Sequence, residues 1–303
     1  MLFFKLVAFM LVVATAIYSQ SSALNGHTRD INAVACSADG KWILSGGEDG
    51  MSLLWDAASR RQLAAFKGEA VLAVAISPGG KRIASGERYK KVRLLDSGAK
   101  EIRTLEGHNA DILAVSFTTD GKLLLSFAKD GGIRSWEATT GAPQGSPQQV
   151  PDSYDSGVFS SDGKWLAGGA SATLYFYNLT TKKLAWKIDA GNTVKAVAIS
   201  PDARTIAVAL GDDTVRVLDA ASGKERGKAG GIDANGVAFS PDGTRIAVAG
   251  HDNDVRVIEA ATMQVGSPWK GHERTVRSVC FLPDGRTVAS ASFDQTVRLW
   301  PVR

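Results

Sequence analysis

The chain has 303 residues, of which 22% are charged and 44% hydrophobic, and its formal net charge is +4. A chain of that size buries about three quarters of its unfolded surface if it folds as one unit. The slight basic excess excludes a nucleic-acid binder driven by bulk charge, and no low-complexity tail or long acidic run breaks the sequence.

Lys5 is followed by twelve apolar or small residues, Leu6 to Ile17, and no acidic residue occurs before Asp30. That length suits the core of a signal peptide and is short for a membrane span of about 20 residues. Residues 1–17 are therefore expected to be a signal peptide or an uncleaved signal-anchor, and residues 18–303 a single domain. A mis-assigned start on a cytosolic protein is the weaker alternative. Small residues at Ala14 and Ala16, or at Ser21 and Ala23, offer cleavage sites, and no Cys follows the run to mark a lipoprotein.

From there a pattern repeats seven times. A turn follows the first strand of each unit at Asp39, Gly79, Asp120, Asp162, Asp202, Asp242 and Asp284, in steps of 40, 41, 42, 40, 40 and 42 residues. Three residues before each turn stand Cys36, Ile76, Phe117, Phe159, Ile199, Phe239 and Phe281. Steps of about 40–45 residues suit a four-stranded propeller blade, and strands apolar on both faces need cover on both.

The last unit reads GHERTVRSVCFLPDGRTVASASFDQTVRLW. Its His272, Ser290, Asp294 and Trp300 can satisfy one another: indole N–H to Ser oxygen, Ser O–H to one imidazole nitrogen, and the other imidazole N–H to the carboxylate. With its Gly-His start, turn Asp and terminal Trp, the unit resembles the WD-repeat family, in which four such residues form a structural tetrad. The same set is complete at His27, Ser45, Asp49 and Trp55, and at His108, Ser126, Asp130 and Trp136. The second unit keeps Ser85 but has Tyr89 at the turn position and Leu95 for Trp. Units four to six lack the His and Trp, although Asp212 and Asp252 remain at the turns. Those middle blades are expected to rest on strand pairing and apolar packing alone. The resemblance implies an all-β fold, a seven-bladed β-propeller of four-stranded antiparallel blades.

Gly141 to Pro151 is rich in Gly and Pro and reads as a loop or a broken outer strand. Asn178-Leu179-Thr180 is a short glycosylation pattern with little weight. The chain ends just after the third strand of the last unit, so that blade lacks an outer strand. Gln20 to Gly26 matches Gln62 to Gly68, the outer strand and exit of the first unit. Residues from about Tyr18 to Asn25 are therefore expected to close the ring, and a cut near Ala16, or retention of the leader, to preserve that strand.

The two cysteines, Cys36 and Cys280, lie on the first strands of the first and last units, offset by one residue relative to the turn. They point to opposite faces of their strands, either toward each other across the blade junction or apart. Buried free thiols are expected. An Arg recurs two residues before the Trp position, at Arg93, Arg134, Arg216, Arg256 and Arg298, and is read as a strand-position preference of the resembled family rather than a ring of cations.

His272, Ser290 and Asp294 are also the residue types of a hydrolase triad. A set present three times, with its Ser engaged by a Trp and no nucleophile elbow beside it, is not a catalytic centre. No cofactor or metal is expected. The resemblance instead implies that the loops before the first strand and between the second and third strands gather on one face and bind proteins. That face would hold Arg29, Asp30, Glu48, Arg88, Asp111, Lys129, His251, Arg274 and Phe293, with Phe293 the aromatic anchor. Arg88 to Lys91 forms a basic hairpin suited to an acidic partner or to solvent alone.

The expectation is thus an exported, non-enzymatic interaction scaffold in the bacterial periplasm, or tethered by an uncleaved leader. It takes a protein or peptide on one face and no nucleic acid. The alternative is an exported propeller enzyme or small-ligand binder acting through the central channel.

Overall fold

The computed structural model describes residues 22–98 and 100–302. These fold into seven antiparallel sheets, with no helix among the described residues. Blade 1 is typical: an innermost strand Ile31–Cys36, a second Trp42–Gly47, a third Met51–Asp56 and an outer strand Gln62–Lys67. Its second strand is nearly all buried, and the corresponding strands of the other six blades share that pattern. Their small and apolar residues are sandwiched between neighbouring sheets, so each blade completes the core of the next. The approach is close enough to require glycine: a Cβ on Gly46 would lie 2.3 Å from Val71 Cγ1 of blade 2, and one on Gly86 2.5 Å from Ile112 Cγ2 of blade 3.

The ring closes as expected. Ser22–Asn25 pairs antiparallel with Thr296–Pro301, the third strand of blade 7, in the register Leu24 opposite Val297 and Asn25 opposite Thr296. Leu24 is 2% exposed in a cluster with Val297 and Leu299, as Phe66 is buried at the matching place in blade 1. Tyr18 to Ser21 and the leader 1–17, with the candidate cleavage site at Ala14 and Ala16, lie outside the described residues, whereas Ala23 of the other candidate site lies in the closing strand.

Two outer strands are poor. In blade 3 only Gln148–Gln149 pairs, with a single bridge between Trp136 and Pro143. Blade 6 is a three-stranded sheet whose fourth position is marked by bridges from Val255 to Trp269 and from Ile258 to Val265. Both segments contain Gly-Ser-Pro, at 145–147 and 266–268. Proline has no N–H to give to a ladder, so pairing breaks at each.

One expectation is overturned. Cys36 and Cys280 are not free thiols but a disulfide, with their Cα atoms 6.0 Å apart. In a closed ring, one side of an innermost strand looks at the opposite side of its neighbour. Residues that face opposite ways on adjacent blades therefore meet, and the one-residue offset is what brings the sulfurs together.

Candidate functional site

Two sets of residues bear on function: those that fasten each blade internally, and those that form the loop face above them.

In blade 1, Trp55 Nε1 donates to Ser45 Oγ at 2.9 Å, Ser45 Oγ lies 2.8 Å from His27 Nε2, and His27 Nδ1 lies 3.0 Å from Asp49 Oδ2. Asp49 also accepts from the Thr28 and Met51 N–H groups. Burial pushes its pKa up, but these donors and His27 outweigh that and hold it below the usual carboxylate range. Burial lowers the His27 pKa despite the carboxylate. Blade 7 repeats the chain at 2.7, 2.7 and 2.7 Å through Trp300, Ser290, His272 and Asp294.

Blade 3 differs. Trp136 and His108 engage Ser126 at 2.9 and 2.7 Å, but no hydrogen bond joins His108 to Asp130. Asp130 Oδ1 accepts instead from the Gly132 N–H, and Arg134 leans against Gly107, donating to its carbonyl at 2.5 Å. Burial, aided by the Arg134 charge, lowers the His108 pKa to about 4.

The other blades carry substitutes that repeat-matching alone missed. In blade 2, Glu87 is 1% exposed, accepts from Ser85 Oγ at 3.1 Å and lies 2.9 Å from Arg93 Nε, an ion pair whose N–H is not aligned as a hydrogen bond. Arg93 also holds Glu101 at 2.7 Å. In blade 4, Tyr154 takes the space of the absent pair: its ring covers Gly168, at the Ser position, and its hydroxyl lies 3.3 Å from the Tyr177 hydroxyl, at the Trp position. Tyr175 donates to Asp152, and that bond pushes its pKa up to about 12. Blades 5 and 6 pair Arg216 with Asp212 at 2.7 Å and Arg256 with Asp252 at 2.6 Å. The middle blades therefore do not rest on strand pairing and apolar packing alone. A hidden signal was available: each carboxylate stands four to eight residues from its Arg in sequence.

Each serine of the three His-containing sets is wholly buried and accepts from a Trp, so none is open to a substrate. Among the described residues no group of three or more His, Cys, Asp and Glu side chains is placed to hold a metal ion.

The loop face is laced together from blade to blade. Arg88 clasps Glu48 through both terminal nitrogens, at 2.9 and 2.6 Å, and Glu48 also accepts from Asn32. Arg274 Nη1 bridges to Asp30 at 2.9 Å and to the Phe293 carbonyl at 2.8 Å. Asp111 Oδ1 accepts from the Tyr89 N–H, Lys129 approaches Asp155 at 3.9 Å, and Asp233 lies 3.6 Å from His251 and 2.5 Å from Lys195. Lys195 is one of six residues, with Asn32, Leu72, Leu113, Asn235 and Arg277, set at a bulge near the start of an innermost strand. A bulge re-aims its side chain, and here Arg277 reaches the Asn235 carbonyl of the preceding blade at 2.8 Å.

Of the nine face residues expected from sequence, Arg29, Lys129, His251 and Arg274 are exposed. Phe293 is half-buried, so it is not a projecting anchor. Tyr89 projects instead, at 68% exposure. It stands with Lys90 at the tip of a hairpin where both have positive φ, 60° and 75°. Arg88 with Glu48, Lys91 with Glu69 at 3.7 Å, and Asp111 at the Tyr89 amide pin this tip from both sides. Those carboxylates also neutralise most of its charge, which removes the argument for a strongly acidic partner.

A ring of seven sheets, three of them fastened by His-Ser-Trp relays, defines a repeat propeller. The chain belongs to the WD40 family: the WD domain, G-beta repeat matches residues 18–56, 60–96, 99–137, 183–219, 226–259 and 263–301. The stretch left unmatched contains the core of blade 4, where tyrosines replace the usual residues. Among curated proteins the chain is 31% identical over 134 residues to a nuclear distribution protein, nudF, of Aspergillus niger, covering 37% of this chain and 30% of that one. It is 29% identical over 120 residues to the transcription factor unc-37 of Caenorhabditis elegans, covering 39% of this chain and 20% of the other. It is 26% identical over 227 residues to a guanine nucleotide-binding protein subunit beta-like protein of Encephalitozoon cuniculi, covering 66% and 68%. The chain thus spans about a third or less of the length of the first two relatives.

These relatives are eukaryotic and are named a nuclear distribution protein, a transcription factor and a guanine nucleotide-binding protein subunit beta-like protein, which overturns the assignment to a bacterial periplasm. That assignment rested on a twelve-residue apolar run, and apolar length alone does not specify a compartment. No helix among the described residues is long and apolar enough to cross a membrane.

Proposed function

We propose that the protein is a non-enzymatic scaffold that takes a protein or peptide partner on the loop face of its propeller. The observation that carries this reading is the Tyr89 tip, an exposed aromatic ring held by contacts from the blades on either side. A fixed aromatic with few free torsions loses little entropy on contact, which suits it to a binding hot spot. Arg29, Lys129, His251 and Arg274 border the same face, while Asp30, Glu48, Arg88, Asp111 and Phe293 support it from below. The match to a subunit beta-like protein over two thirds of both chains lends the reading support, since that relative is named by its likeness to a component of an assembly.

The test places a photo-reactive amino acid at Tyr89, at Lys129 and, as a control on the opposite face, at Lys41. Adducts with one defined protein should form from Tyr89 and Lys129 and not from Lys41. Adducts confined to Lys41, or none from any site, would reject the reading.

A further inference from the structure

The seam between blades 1 and 7 is built unlike the other six junctions. Two innermost strands run side by side there, Ile31–Cys36 and Val276–Phe281. At the loop-face end Arg274 pairs with Asp30 at 2.9 Å, one residue ahead of the first strand. In the middle the Val34 N–H donates to Ser278 Oγ at 3.2 Å. At the far end Cys36 is bonded to Cys280 across 244 residues of sequence. Beside them the two ends of the described chain meet, where Ser22–Asn25 lies on Thr296–Pro301. The one covalent tie among the described residues thus lies at the junction beside the non-covalent closure of Ser22–Asn25 on Thr296–Pro301.

We propose that Cys36–Cys280 is a thiol–disulfide exchange site that latches the ring, opened by a dithiol reductant. Both cysteines are half-buried, packed against the cluster between blades 7 and 1 rather than fully enclosed in it. A reductant thiolate attacks one cysteine sulfur and forms a mixed disulfide. The other sulfur leaves with the bonding electrons and takes up a proton. The second reductant thiol then displaces the first cysteine, leaving two protein thiols and an oxidised reductant, a transfer of two electrons and two protons. The seam afterwards rests on the four-residue closing strand and the chain leading from it into blade 1, one ion pair, the Val34–Ser278 hydrogen bond and apolar contact. Because the bond closes a loop of most of the chain, its loss frees much of the unfolded chain's entropy. This inference does not depend on what the loop face binds.

The experiment uses the full chain, oxidised and then reduced with dithiothreitol, alongside a Cys36→Ala, Cys280→Ala variant. Reduction should lower Tm by roughly 5–10 °C and speed amide exchange in Ser22–Asn25 and Thr296–Pro301, with the junction of blades 3 and 4 unchanged. The variant should behave as the reduced protein and ignore the reductant. Unfolding of the reduced protein is the same result at its limit, and the wild-type chain alone then decides. Thiols that stay free in the presence of oxidised glutathione, or equal Tm and exchange in the two states, would overturn the proposal.

Discussion

The hydroxyls of Tyr154 and Tyr177 lie 3.3 Å apart inside blade 4, where Gly168 holds the position that Ser45, Ser126 and Ser290 hold in other blades. Two phenols do the work that an imidazole, a hydroxyl and an indole do elsewhere, because a bulky ring over a glycine fills the volume that a Ser and a His would share. Tyr154 is completely buried, whereas Tyr177 also borders a surface cavity of about 400 Å³ with Pro147, Pro151 and Leu184.

That asymmetry orders two substitutions. Tyr177→Phe leaves the Tyr154 hydroxyl buried without its acceptor and should cost about 1–3 kcal/mol. Tyr154→Phe leaves Tyr177 beside the cavity, where water can replace its partner, and should cost less. Urea unfolding of the two variants gives the order directly, and equal costs would show that the pair is not the blade's fastening.

The aspartates of blades 3 and 7 should not be equivalent. Asp294 accepts from His272, the Glu273 N–H, the Thr296 N–H and the Thr296 hydroxyl, whereas Asp130 has no bond to its His. Asp294→Ala is expected to destabilise more than Asp130→Ala by about 1–3 kcal/mol, since it orphans several donors at once. Thermal unfolding of both variants at pH 7 checks the difference.

Acid should weaken the fold in two steps of known sign. The His108 pKa falls from an ordinary value of 6.5 to about 4 in the fold, so the unfolded chain binds its proton first. Its contribution, up to about 3 kcal/mol, is complete above pH 6.5 and is lost as pH falls toward 4. Asp294 is held well below the ordinary 3.8, so its share is present above that value and lost only at lower pH. His108→Gln should therefore be less stable than wild type at pH 8 and show a shallower fall in Tm between pH 6.5 and 4. A slope unchanged by the substitution would assign the loss to other groups.

Ring closure should respond to one apolar contact. Leu24, on the closing strand, is 2% exposed in a cluster with Val297 and Leu299. Leu24→Ala should cost about 2–4 kcal/mol, and removal of residues through Asn25 should expose the edge of Thr296–Pro301 and cause self-association. Sedimentation of the shortened chain tests this, and a stable monomer would mean that the edge is covered another way.

The sequence by itself determined the blade count, the turns and the three complete His-Ser-Asp-Trp sets, because each depends on residue types repeated at a fixed spacing. It also located the closing strand, since Gln20 to Gly26 copies the outer strand of the first unit. Tertiary structure decided what depends on direction and distance between chain segments far apart. The offset of Cys36 and Cys280 was legible, but only the curvature of the ring shows that opposite faces meet and bond. His108 and Asp130 stand at the right spacing, yet the Arg134 guanidinium beside Gly107 and the local loop geometry leave them unjoined. Phe293 and Tyr89 both read as loop aromatics. Whether a ring projects or tucks in is set by the backbone around it, and the left-handed turn at Tyr89 and Lys90 turns one outward while Phe293 stays half-buried.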